Sequence, residues 1–113
     1  MQARLTSDVL VKALIRAAET QGGVGAVLAK GDRTAGAVAV ILAERGIKRR
    51  FLERMLQPDG NYGWRDPGGE GERDEAAFAE LVTRRRRTDP DLWVVELDIA
   101  SAERFADEMT AFG

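Results

Sequence analysis

The chain has 113 residues, with 17 Lys and Arg against 19 Asp and Glu, for a formal net charge of −2. That length fits one domain spanning residues 1–113 and buries about two-thirds of the surface its unfolded form exposes, so a core forms without disulfide or metal. The sequence holds no cysteine and no histidine, which excludes disulfides, thiolate nucleophiles, Cys- or His-ligated metals and every triad built on imidazole. The segment after Met1 is broken by Lys12 and Arg16 and carries no small-residue cleavage site. No stretch approaches the ~18 apolar residues of a membrane span. The expectation is a cytoplasmic protein with no membrane contact.

The first predicted element is a helix over about 7–21. Thr6 or Ser7 serves as its N-cap and Asp8 lies in its first turn. With Thr6 as cap, Leu5 and Leu10 occupy the two positions of a hydrophobic staple. Leu10, Ala13, Leu14 and Ala17 recur at helical spacing, and Val11, Ile15 and Ala18 widen the stripe toward a sheet. Gly22-Gly23 ends the helix. Val24–Lys30 reads as a strand and residues 31–36 as a loop. Ala37–Ala43 is a continuous small and β-branched run, the pattern of a central strand covered on both faces.

Residues 45–48 turn the chain. Arg49–Leu56 then reads as a half-exposed strand, and Gln57-Pro58-Asp59-Gly60-Asn61 is a strong turn. Tyr62–Arg65 is a short edge strand. These four strands are expected to form an antiparallel meander. Residues 66–72 make a loop without core-forming residues. A helix over about 73–87 follows, with Phe78, Leu81 and Val82 inward, acids including Glu72 at its start and arginines at its end. Asp89-Pro90 stops it. Leu92–Asp98 is the clearest strand, with Trp93, Val95 and Leu97 on one face. Ser101 caps a last helix with Glu103 in its first turn. The expected fold is α+β in the order α-β-β-β-β-α-β-α, a mostly antiparallel sheet of about five strands with helices packed on it.

Five stretches taken together, Arg4-Leu5-Thr6-Ser7, Lys30-Gly31-Asp32-Arg33-Thr34-Ala35-Gly36, Gln57-Pro58-Asp59-Gly60, Trp64 and Arg84–Asp98, resemble a family of short bacterial proteins known as a domain of unknown function. The run of four arginines followed by Thr-Asp-Pro-Asp-Leu-Trp-Val-Val-Glu is the most specific part. The resemblance implies a free-standing bacterial cytoplasmic protein and carries no activity or catalytic residue.

Charge is segregated. Residues 46–65 carry five basic and two acidic side chains, whereas 66–80 and 91–113 each carry one basic and six acidic. Arg45, Lys48, Arg49, Arg50 and Arg54 therefore form a candidate contact for phosphate or a partner, with a solvated turn as the competing reading. No aromatic is interleaved in 45–50, which disfavours stacking on single strands. Arg84–Arg87 fan around their helix rather than lining one face, and are expected to serve the helix end and to pair with Asp89 and Asp91. Arg85 leans its stem toward the core, four residues after Leu81. Tyr62 and Trp64 share one strand face, either as a partner patch or as a closure of the core. Glu96 and Asp98 share a strand face too. The element order is similar to that of metal-dependent nucleases, but Glu53-Arg54-Met55 lacks their Glu-x-Lys lysine and Ala37–Ala43 has no carboxylate. The glycines near 22–25 and 31–36 sit in the wrong context for a dinucleotide or P-loop signature.

Three readings follow. The leading one is a non-enzymatic interaction or accessory module, with a protein partner or a second copy of itself, and no cofactor or metal. The second is weak nucleic-acid binding through Arg45–Arg54 and the arginine helix end, favoured if the two clusters share a face. The third is a carboxylate-only metal enzyme, favoured if Glu96, Asp98 and a third carboxylate converge.

Overall fold

The computed structural model describes residues 5–67 and 73–112. The loop expected at 66–72 and the acid at Glu72 lie mostly outside them. In chain order the elements are α1 (Ser7–Thr20), β1 (Val24–Ala29), β2 (Val38–Glu44), β3 (Ile47–Leu56), β4 (Tyr62–Arg65), α2 (Glu75–Thr88), β5 (Trp93–Asp98) and α3 (Ala102–Glu108), which runs into a 3-10 turn at Met109–Phe112. This is the expected α+β order.

The strands form one mixed sheet in the order β1-β5-β2-β3-β4. β2–β3, β3–β4 and β1–β5 are antiparallel, while β2 and β5 run parallel from Val38↔Trp93 to Ala43↔Asp98. The expected four-strand meander therefore holds only for β2-β3-β4. β5 inserts between β1 and β2, so β1 stays at the rim but pairs with β5 instead of β2. The physical reason is burial. Trp93, Val94, Val95 and Leu97 are all buried, and a strand apolar on both faces belongs in the middle of a sheet. The 30–37 connection is also too long for a tight hairpin and bridges the two interstrand spacings, about 5 Å each, that β5 opens.

α1 and α3 cover one face of the sheet. Leu10, Leu14 and Ala18 of α1 and Phe105 of α3 pack there on Val40, Leu42, Val95 and Leu97, with Trp93 among them. α2 covers the other face through Phe78 and Leu81, against Ile41, Phe51 and Val94. β2 is buried from Val38 to Ala43 because it has a helix on each side. Burying side chains of this size against each other contributes roughly 1.5–3 kcal/mol each relative to exposure.

The helix starts differ from expectation at α1 and agree at α3. Ser101 accepts the Arg104 amide at 3.3 Å, and Asp74 does the same for Ala77 at 2.8 Å in α2. Thr6 occupies the cap position of α1 but makes no side-chain cap; its hydroxyl donates to Asp8 Oδ1 at 2.7 Å. The Ser7 and Asp8 amides donate instead to the carbonyls of Thr34 and Arg33. A distant loop, not the cap side chain, satisfies these orphan groups. Leu10 is buried, but Leu5, its expected staple partner, is 48% exposed.

Candidate functional site

The basic residues of β3 are taken apart by a bulge: Leu42 pairs with Arg50 and Ala43 with Lys48, so Arg49 is an extra residue and Lys48 and Arg50 point to opposite faces. On the α2 face, Lys48 reaches Glu75 and lies 3.6 Å from Glu96. On the α3 face, Arg50 donates to Glu103 at 2.9 Å. Arg49 lies 3.4 Å from Glu44, and Arg45 is exposed at the hairpin tip. Arg54 stacks 4.3 Å from the centre of the Tyr62 ring. The Glu75 hydrogen bond, followed by the charge of Glu96, holds the Lys48 ammonium above its ordinary pKa. The five cations thus lie on both sides of the sheet, most of them beside a carboxylate or an aromatic ring.

The arginine run is divided as well. Arg85 makes two parallel bonds to Glu53, at 2.9 and 2.6 Å, beneath α2. Glu53 is only 4% exposed, so this bidentate pair compensates a buried carboxylate. The inward lean expected for Arg85 is present, but its partner is Glu53 of β3 rather than Asp89 or Asp91. Arg86 spends its guanidinium on the carbonyls of Lys30, Pro90 and Leu92. Arg84 and Arg87 face solvent.

The strand carboxylates have structural duties. Asp98 accepts the backbone amides of Arg45 and Gly46, at 2.9 and 2.7 Å. It thereby fastens the β2–β3 turn, whose two central residues both have positive φ, 52° and 81°; glycine fits the second without strain. Glu44 accepts the Ala102 amide at the start of α3, at 2.7 Å. Among the described residues, no three Asp or Glu side chains gather closely enough to hold a metal ion. An open depression of about 580 Å³ at this end is lined by Gly22, Glu44, Arg45, Arg49 and Asp98, whose two carboxylates are these same fasteners.

The other end of the sheet brings together the stretches that the sequence singled out. Asp32 accepts the Thr34 and Ala35 amides, and its own amide donates to the Asp91 carbonyl. The Trp93 indole donates to the Asp32 carbonyl at 2.7 Å, and the Ser7 hydroxyl to that of Gly36. The 30–36 loop is therefore a clasp that joins α1, β5 and the end of α2. Tyr62 and Trp64 are half-buried. Trp64 packs on the core below α1 and α3, and its indole donates to the Met109 carbonyl at 3.0 Å.

What remains open is β1. Among the described residues it pairs only with β5, and no strand lies on its outer edge. Val24, Val27 and Leu28 are 66%, 39% and 51% exposed, and Ala26 is exposed between them. No charged residue lies between Val24 and Ala29. α1 covers one face through Ile15, which sits so close to Gly25 that an added Cβ would lie 2.9 Å from it. The opposite face of Val24 and Ala26 lies beside Asp98 and Glu96 rather than under α2. The sequence reading singled out Tyr62–Arg65 as the edge and did not examine β1, the other end of the expected meander. The available signal was the lack of charge and period in Val24–Ala29, beside a more apolar candidate for the centre at 92–97.

The fold and this edge define a small α+β domain with one unfinished side. Residues 5–107 match the family described as Protein of unknown function (DUF1491), and the chain belongs to that family. It is similar to an NMR structure of a DUF1491 family protein from Caulobacter crescentus CB15, 35% identical, with a TM-score of 0.77 over 88% of this chain and 90% of that one. A crystal structure of a DUF1491 family protein from the same organism is 36% identical, with a TM-score of 0.74 over 83% and 87% of the two chains. The solution structure of protein Atu0922 from A. tumefaciens is 30% identical, with a TM-score of 0.74 over 88% and 89%. No curated protein matches the chain. No helix among the described residues is long and apolar enough to cross a membrane.

Proposed function

We propose that this protein is a non-enzymatic cytoplasmic interaction module that docks through the outer edge of β1. The observation that carries the reading is the free edge itself: six residues without a charge, with Val24 and Leu28 more than half exposed. Exposed strand edges invite another strand, and proteins ordinarily blunt them with charge, proline or cover. Among the described residues, β1 has neither charge nor proline, and its ladder carries one irregularity, between Val27 and Ala29. Main-chain pairing along such an edge supplies affinity, and the side chains flanking it supply selectivity. Asp98, Glu44 and Glu53, and with them Lys48, Arg50, Arg85 and Arg86, are engaged in bonds within the fold, which favours this reading over a phosphate-binding one.

The test is site-specific photo-crosslinking in bacterial cells. Benzoylphenylalanine replaces Leu28 on β1 or, as control, Leu56 at the end of β3, 60% exposed. Protein adducts are expected at position 28 and not at position 56. Absence of adducts at 28, or equal yields at both sites, overturns the proposal.

A further inference from the structure

We infer that the depression beside the β2–β3 turn is a binding site for a small organic carboxylate, held by Arg45 and Arg49. It goes beyond the reading of β1 as a docking edge and does not depend on it.

The β2–β3 hairpin has two irregularities of its backbone, and each one carries an arginine. Arg45 is the one non-glycine residue with positive φ, 52°, among the described residues. It is the first of the two central residues of the turn, a position that glycine, asparagine or aspartate fills with the least strain. Residues held in this region persist where their surroundings over-determine them, and they cluster at ligand clamps. Here the surroundings are Asp98, whose two oxygens accept the Arg45 and Gly46 amides. The fold makes no visible use of the Arg45 side chain. It is exposed, and it makes no ion pair or hydrogen bond among the described residues. Arg49, four positions on, is the extra residue of the bulge. Bulges re-aim side chains and are common beside functional sites. The Arg49 Nε lies 3.4 Å from Glu44, and the side chain stays 51% exposed.

Both arginines line the same depression of about 580 Å³, a volume within the range of small-molecule sites. Its other walls decide the class of ligand. Glu44 and Asp98 line it too, but their four oxygens are engaged. Three accept the amides of Ala102, Arg45 and Gly46, and the fourth faces Arg49. Two arginines against two carboxylates leave no large positive excess, so a polyanion or a phosphate dianion is poorly matched. A single carboxylate suits the site, and the planar guanidinium fork matches carboxylate geometry. With the turn amides already taken by Asp98, the grip comes from the arginine side chains. Ile47, 55% exposed, offers an apolar wall for the carbon part of the ligand. On the α1 side the wall includes Gly22, beside which the space for a side chain is empty.

The experiment is an NMR titration of the full chain with butyrate over roughly 1–50 mM, the range suited to a weak site. Butyramide, uncharged and of similar shape, and inorganic phosphate at equal ionic strength are the other two arms. Butyrate is expected to give saturable shifts at residues 45–49 and at Gly22, butyramide none, and phosphate weaker ones. Arg45→Gly removes the guanidinium and relieves the positive φ. It is expected to melt no lower than the native chain while binding butyrate about tenfold more weakly. Arg49→Gln is expected to weaken binding by a similar factor, and it keeps the test open whatever the first variant does to folding. No saturable shift with butyrate, equal shifts with butyramide, or native-like binding by the two variants overturns the inference. Tighter binding of phosphate than of butyrate overturns the carboxylate assignment. An Arg45→Gly chain that melts below the native one shows that the fold uses this side chain, and overturns the argument from strain.

Discussion

Strand β4 ends one side of the sheet with four residues, one of them Arg65, and its Trp64 is bonded to the 3-10 turn that follows α3. Beneath it, β3 is tied to α2 by the bidentate Arg85–Glu53 pair. Strand β1 ends the other side with six uncharged residues, meets α1 through Ile15 at Gly25, and leaves Val24, Val27 and Leu28 exposed. Both edges belong to the same sheet and share the same core, so folding alone does not require the difference. It teaches that the side-chain ties described here lie between β5 and β4, while β1 keeps an uncharged edge.

The comparison can be broken most severely at its shared centre. Trp93 is 5% exposed and holds the 30–36 clasp through its indole. Trp93→Ala is expected to cost about 3–5 kcal/mol in urea unfolding and to loosen both edges together. A melt unchanged by that substitution would show that the clasp and the core are uncoupled.

Next in size is the fastening under β4. Arg85→Ala leaves the Glu53 carboxylate buried without its partner, and a loss of about 2–4 kcal/mol is expected, with part recovered in the Arg85→Ala/Glu53→Ala double variant. If the double variant is no better than the single one, the pair is not compensating a buried charge.

On the β1 side, Gly25→Ala places a methyl 2.9 Å from both Ile15 and Leu97. It is expected to cost about 1–3 kcal/mol and to speed amide exchange in α1 and β1 before β3 and β4 respond. Uniform acceleration across the sheet would erase the distinction between the two sides.

The smallest effect is expected on the free edge. Val24→Thr changes a side chain that is 66% exposed and should leave stability within about 0.5 kcal/mol. A larger loss in dilute protein would mean that Val24 already packs within the single chain.

The sequence by itself determined the elements. The helical spacing of Leu10, Leu14 and Ala18, the unbroken apolar run at 37–43, the alternation at 92–98 and the Ser101 cap are local signals, and each element stands where they place it. The partners of Arg85 and of the arginines and lysine in β3 were not legible, because a charge in sequence does not say which carboxylate another element will bring to it. Asp98 read as a possible ligand and proved to be the fastener of a turn 52 residues away. Strand order was decided only in three dimensions. Propensity tells a strand to form but not beside which neighbour. The most apolar strand took the centre because burial there removes both of its faces from water. That choice, made by Trp93–Leu97, separated β1 from β2 and gave it β5 as its neighbour at the rim.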